Sequence, residues 1–181
     1  MLKAYSPLSE DEEKQIVDLC VCRKYSKGDL LQPIGHTCRT YYFLLSGIAR
    51  IFYFKNETDI TEHFAFENNF VVRFESLYTG RPSSKAIELL ESSEVLSINA
   101  LGLNKLFDSS PRIERVFRKI GEAAHVSTIN RIESLQFHTA EERYNALLEE
   151  QPDVVLRVPQ KFIASYLGIT PVSLSRIRGK K

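Results

Sequence analysis

Val158-Pro159-Gln160-Lys161-Phe162-Ile163-Ala164-Ser165-Tyr166-Leu167-Gly168-Ile169-Thr170-Pro171-Val172-Ser173-Leu174-Ser175-Arg176-Ile177-Arg178 decides how the rest of the chain is read. Ile163 and Leu167 lie four apart, on one face of a helix, and Leu174 and Ile177 lie three apart, on one face of a second. Two short helices would thus share a small core. Gly168 falls between them, where the first helix must end in a left-handed residue that glycine adopts without steric cost. Ala164, one turn earlier, leaves room for the second helix to pass close. Thr170-Pro171 then restarts the chain, since the threonine hydroxyl can accept from free backbone N–H groups and proline suits the first helical position. The pattern predicts a helix-turn-helix. With Leu174 and Ile177 turned inward, Val172, Ser175, Arg176 and Gly179 form the opposite stripe, short and basic enough for a DNA major groove. Glycine-bearing helix pairs also occur as plain packing units. The joint match of turn, cap and exposed arginine favours the DNA-reading form.

Charge points the same way. Six of the 24 Lys and Arg, and none of the 23 Asp and Glu, fall in residues 157–181, so the near-neutral total divides into −5 before that segment and +6 within it. Such polarity suits phosphate binding by one end of the molecule.

With 181 residues, 43% of them apolar and 10% aromatic, one or two packed domains are expected rather than a disordered chain. Met1 to Pro7 shows no apolar run behind a basic start, and no stretch approaches the ~20 apolar residues of a membrane span, so a cytoplasmic protein without membrane contact is expected. Cys20, Cys22 and Cys38 are too few and too irregular for a disulfide framework or an iron–sulfur set. His36, His63, His125 and His138 contain no H-x-H ligand pair. The reading therefore assigns no metal and no cofactor. Catalysis is not expected: the His-x-His and Glu set of metal-dependent cupin enzymes, a Gly-rich phosphate loop and a G-x-S-x-G elbow are all missing.

Outward from the terminal motif, Thr139-Ala140-Glu141-Glu142 reads as a capping box opening a helix that carries Tyr144, Leu147 and Leu148. Val154 to Val158 reads as a strand or wing beside the helix-turn-helix. Ser110-Pro111 opens a long helix to about Leu135. Its apolar stripe runs clearly through Ile113, Val116, Phe117, Ile120 and Ala124, then blurs at Ser127, Asn130 and Arg131 before Ile132 and Leu135. A dimer seam and packing on the preceding domain both fit it. Asn99 to Phe107 reads as a short helix, and Ser9 with Glu12 caps another reaching Leu19. Between Val21 and Ile98, strand-length runs (Tyr41–Leu45, Ile48–Phe54, Ile60–Phe66, Ala86–Leu90, Val95–Ile98) alternate with turn signals, as in an antiparallel sandwich or barrel of the jelly-roll kind. The expected class is α+β: a jelly-roll barrel over 1–108, a connecting helix over 109–137 and a winged helix-turn-helix over 138–181.

This order of parts resembles the family of the cyclic-AMP receptor protein and the fumarate-nitrate regulator (CRP/FNR). The resemblance rests on Lys27-Gly28, on Phe43-Leu44-Leu45-Ser46-Gly47 before an aromatic strand, on Glu75 in the loop after Phe70-Val71-Val72, and on Ala164, Gly168, Leu174, Arg176 and Ile177. Thr139 to Tyr144 and Phe162 to Pro171 look most like the branch common in Bacteroidetes. The resemblance implies a cyclic-nucleotide-binding-like domain and a homodimer joined through the long helix. It also implies binding to a palindromic double-stranded promoter site, transcription regulation and contact with RNA polymerase. By position it brings Val172, Ser173 and Arg176 to DNA. Arg176 can donate two bonds to guanine O6 and N7 or serve a phosphate. Ser173 and Thr170 suit a phosphate at the helix N-terminus, with Lys161 and Arg178 as further candidates and Ser175 on the same outer stripe. Val172 replaces the family's usual glutamate and could touch a thymine methyl instead.

The family's nucleotide binders hold ribose and cyclic phosphate through a Gly-Glu pair and a following Arg-Ser/Thr-Ala run. Here Glu75 follows Phe74, and Ser83-Ser84-Lys85-Ala86 replaces the arginine run. Glu75, Ser84 and Lys85 are the candidate ligand residues, but lysine lacks arginine's planar fork, so cyclic AMP is not the expected effector. The rival to a regulator is a ligand- or partner-binding β-module whose helix-turn-helix no longer reads DNA.

Overall fold

The computed structural model describes residues 7–179. Met1 to Ser6, where the sequence shows no apolar run, and Lys180 and Lys181 of the basic end lie outside the described residues. In chain order the elements are α1 (Glu10–Asp18), β1 (Cys20–Tyr25), β2 (Leu30–Gln32), β3 (Thr40–Ser46), β4 (Ala49–Lys55), β5 (Thr58–Ala65), β6 (Phe70–Val71), α2 (Phe74–Thr79), β7 (Ala86–Leu89) and β8 (Ser93–Asn99). The rest is helical: α3 (Ala100–Ser109), α4 (Pro111–Phe137), α5 (Ala140–Glu150), α6 (Val154–Arg157), α7 (Gln160–Leu167) and α8 (Pro171–Arg178). The fold is α+β. Among the described residues, no helix is long and apolar enough to cross a membrane.

Two antiparallel four-stranded sheets, ordered β1-β8-β3-β6 and β2-β7-β4-β5, enclose a core that includes Leu44, Ile87, Leu89 and Val95, all fully buried. Gly47, whose φ of +93° leads from β3 into β4, sits so close to the start of the paired strand β8 that a Cβ there would collide with the Ser93 side chain. Pairing of β4 with β5 slips between Ile51↔His63 and Phe52↔Thr61, which makes Glu62 the extra residue of a bulge.

Local chemistry sets the helix starts. Ser9 with Glu12 and Thr139 with Glu142 form complete capping boxes, and the Ser110 hydroxyl accepts from the Ile113 N–H at 3.3 Å ahead of Pro111. The two readings of α4 divide along its length. Ile113, Val116, Phe117 and Ile120 pack against the first sheet with α1 and α3, whereas Val126, Ile129, Ile132, Leu135 and Phe137 are exposed.

Two expectations are corrected. Val154 to Val158 is not a strand, and among the described residues no strand follows Asn99, so the helix-turn-helix carries no wing there. A strand would bury Val154, Leu156 and Val158 together. Instead Val154 and Val158, four apart, are buried while Leu156 is 86% exposed, and the Val158 N–H donates to the Val154 carbonyl at 2.9 Å. Tertiary burial of a helical pair overrides the β preference of valine. Glu75, expected in a loop, lies on α2, a helix held by partly buried Phe74 and Leu77 and closed by Gly80 in the left-handed conformation.

Candidate nucleic-acid interface

The helix pair forms as its sequence requires. Gly168 closes α7 at φ +71°, with the Ile169 N–H donating to the Ala164 carbonyl at 3.0 Å. Thr170 caps α8 by accepting the Ser173 N–H at 3.2 Å, and Pro171 takes the first position. Ile163, Ala164, Leu167 and Leu174 are buried, with Ile177 packed against them.

The same core continues into the sheet body. Phe64, Phe66, Ile48 and Leu90 join Tyr144, Leu147, Val154 and the α7–α8 residues in one cluster. β5 is an edge strand, a feature that proteins shield from adventitious pairing, and α7 covers it. Ser165 Oγ accepts from the Thr61 N–H at 2.9 Å and donates to the Asp59 carbonyl at 3.1 Å, so one hydroxyl satisfies two backbone groups of the edge. Arg50, its side chain 3% exposed, holds Asp59 in a fork at 2.6 and 2.7 Å and Glu88 at 2.6 Å. Its guanidinium lies between the rings of Phe52 (4.1 Å) and Phe162 of α7 (3.6 Å).

Arginines also grip the motif from behind. Arg143 donates from Nε and Nη2 to the Leu167 carbonyl at 3.1 and 2.8 Å, and Arg131 of α4 reaches the Tyr166 carbonyl while stacking on its ring at 3.9 Å. Both occupy the C-terminus of α7, where unpaired carbonyls attract cations. Arg157, one of the six basic residues of the terminal segment, turns inward to Glu67, Glu91 and Asp153. Hydrogen bonding from Arg157 holds the Glu67 carboxyl below its ordinary value of 4.5 against the opposing effect of burial.

Among the described residues, the other basic groups of the segment, Lys161, Arg176 and Arg178, face outward. Val172 is 61% exposed, and Ser175, Arg176 and Arg178 are exposed beside it. Neither Arg176 nor Arg178 has an ion-pair partner among the described residues. Ser173, half-buried, has its hydroxyl 3.0 Å from that of Thr170, and exposed Lys161 lies near the Phe162 ring at 4.7 Å. Thr170, Val172, Ser173, Ser175, Arg176 and Arg178 are thus gathered on or beside α8, with Lys161 on the first turn of α7. Gln160, not singled out in the sequence, donates from Nε2 to Ser175 Oγ at 2.7 Å. A polar residue at the first position of the motif's first helix was the signal available for it.

The candidate ligand residues are arranged differently. Lys85 Nζ bonds the Glu62 carboxylate, whose other oxygen accepts from Arg73 at 3.0 Å, and Arg73 in turn lies 4.0 Å from Glu75. Burial works against ionisation of Glu62, but the bond from Lys85 and the charge of Arg73 prevail and hold its carboxyl below the ordinary value. Glu75 is 78% exposed, and Ser84 is exposed outside this string. Arg73 and Glu62 border a cleft of about 660 Å³ that β5 and the loop before α2 form with α4. Neither Glu62 nor Arg73 was legible as part of the site, because a bulge decides where the glutamate points. Among the described residues, no cluster of three or more His, Cys, Asp or Glu could hold a metal ion.

No protein-family model matches the sequence, and no curated protein matches it. Solved structures do. FixK2 from Bradyrhizobium japonicum is similar at a TM-score of 0.78 and 18% identity, covering 89% of this chain and 83% of that one. The c-di-GMP-responsive global regulator CLP of Xanthomonas campestris is similar at 0.72 and 16%, covering 95% and 91%. The catabolite activator protein of Thermus thermophilus is similar at 0.61 and 16%, covering 97% and 84%. The chain therefore has the fold of the CRP/FNR regulators, from its paired sheets through the long helix to the terminal helix pair.

Proposed function

We propose that the chain is a sequence-specific, DNA-binding transcription regulator of the CRP/FNR type. Residues 1–108 form a jelly-roll body, 109–137 a connecting helix and 138–181 the DNA-binding unit. It acts as a homodimer in which the exposed apolar half of α4, Val126 to Phe137, meets the same surface of a second copy and sets two α8 helices on a two-fold symmetric site. One observation carries the reading. In residues 138–179 the inward arginines, Arg143 and Arg157, are consumed by carbonyls and carboxylates, while Lys161, Arg176 and Arg178 face solvent around one short helix. Phosphates and guanine edges are the partners that such a surface takes.

Cyclic AMP is not the effector. The cation that would meet its phosphate, Lys85, is already neutralised by Glu62, and Arg73 completes the same string. Displacing a bound carboxylate to seat a phosphate costs most of the attraction gained. Calorimetric titration with cyclic AMP should give no saturable heat at micromolar concentrations, and saturation there overturns this part of the reading.

Selection of bound duplexes from a random pool tests the whole. A regulator enriches a palindrome of two half-sites about one helical turn apart, with affinity that falls steeply with salt. A β-module whose helix pair no longer reads DNA enriches nothing.

A further inference from the structure

Ser175 stands exposed on the outer stripe of α8, one turn beyond Val172 and beside Arg176. A helical serine commonly donates back to the carbonyl four residues earlier. Here that carbonyl, Pro171, lies 3.5 Å from Gln160 Nε2, and the same nitrogen donates to Ser175 Oγ at 2.7 Å. The Pro171 carbonyl can only accept, so it favours the nitrogen of the Gln160 amide over its oxygen at this place, and the nitrogen then donates to Ser175. One lone pair of the Ser175 hydroxyl is therefore filled from within the motif. Its proton has no acceptor among the described residues, and Ser175 and Arg176 are both exposed, adjacent on α8.

We propose that Gln160 is a specificity-determining positioning residue: it holds Ser175 as a hydrogen-bond donor toward the major groove and so selects a base edge that offers an acceptor. This rests on the DNA-binding reading above. The acceptors available there are guanine N7 and O6, adenine N7 and thymine O4, whereas cytosine presents only its N4 donor. Val172, one turn earlier, reads an adjacent apolar feature, so the two positions specify neighbouring base pairs. Gln160 acts without touching a base, which distinguishes it from Arg176.

Pool selection with the full chain and its Ser175→Ala, Gln160→Met and Gln160→Glu variants tests the assignment, with urea unfolding confirming that all four fold. The wild type should enrich one motif. Ser175→Ala and Gln160→Met should flatten the same base position in each half-site, by roughly 3- to 10-fold, the scale of one hydrogen bond, and leave the other positions intact. Gln160→Glu should shift that position toward cytosine or the adenine N6 edge, because a carboxylate takes the serine proton and leaves Oγ only as an acceptor. An enriched wild-type motif whose Gln160 and Ser175 variants change different positions, or none, overturns the inference while leaving the DNA-binding reading standing. A wild type that enriches no motif overturns that reading and this inference with it.

Discussion

Arg50 and Arg176 carry the same charge and live in opposite worlds. Arg50 is enclosed by two carboxylates and two aromatic rings at the seam between β4 and α7, and with Arg131, Arg143 and Arg157 it fastens the terminal helices to the sheet body. Arg176 projects from the far face of α8 with no ion-pair partner among the described residues. The difference teaches that basic residues divide between two settings: the inward group fastens the terminal helices to the rest of the body, and the outward group stays on the surface, where the proposed DNA contact needs it. Counted along the chain the two are indistinguishable, and Arg157 shows how a charge tally overstates the available surface.

The largest expected effect is on the inward side. Arg50→Ala leaves Asp59 and Glu88 facing a buried void without their cation, and urea unfolding should show a loss of about 3 to 5 kcal/mol. A loss under about 1 kcal/mol would erase the contrast with Arg176. Arg176→Ala should leave the urea midpoint unchanged while weakening binding to a selected site by about 1 to 3 kcal/mol, measured by fluorescence anisotropy. Comparable destabilisation by the two substitutions would break the comparison.

Acid offers a finer probe. Because Glu67 has a folded pKa depressed below 4.5, its contribution is present above that pH and fades as the pH falls toward the lower folded value. Thermal stability should therefore drop on acidification below about 4.5, and Arg157→Ala should flatten part of that drop. An identical acid limb in both proteins would show that the clasp contributes nothing. At the α4 surface, Ile132→Asp places a charge in the proposed seam, so sedimentation should show a dimer for the parent and a monomer for the variant, and equal masses for the two would remove α4 from the seam.

The parts of this fold legible in the sequence are those decided by neighbours. Gly168, the Thr170 cap with Pro171, and the two capping boxes act within a few residues, and each appears as its local chemistry demands. The long strands were legible through their aromatic and branched runs. β1 was not, because its outward residues, Val21 to Lys24, are exposed and the strand shows no alternation. What escaped depends on distant partners. α6 is helical because Val154 and Val158 bury against other elements, and Lys85 loses its availability because a bulge in β5 turns Glu62 toward it. Gln160 meets Ser175, fifteen positions further along the chain, only once the turn folds α8 back across α7.

The most direct test compares wild type and Arg176→Ala on a selected duplex and on the same duplex scrambled, at one fixed salt concentration. The wild type should prefer the selected duplex by about 10³-fold or more. Arg176→Ala should lose roughly 10- to 100-fold on the selected duplex and far less on the scrambled one. Equal affinity of both proteins for both duplexes would contradict the claim that the outer face of α8 reads DNA.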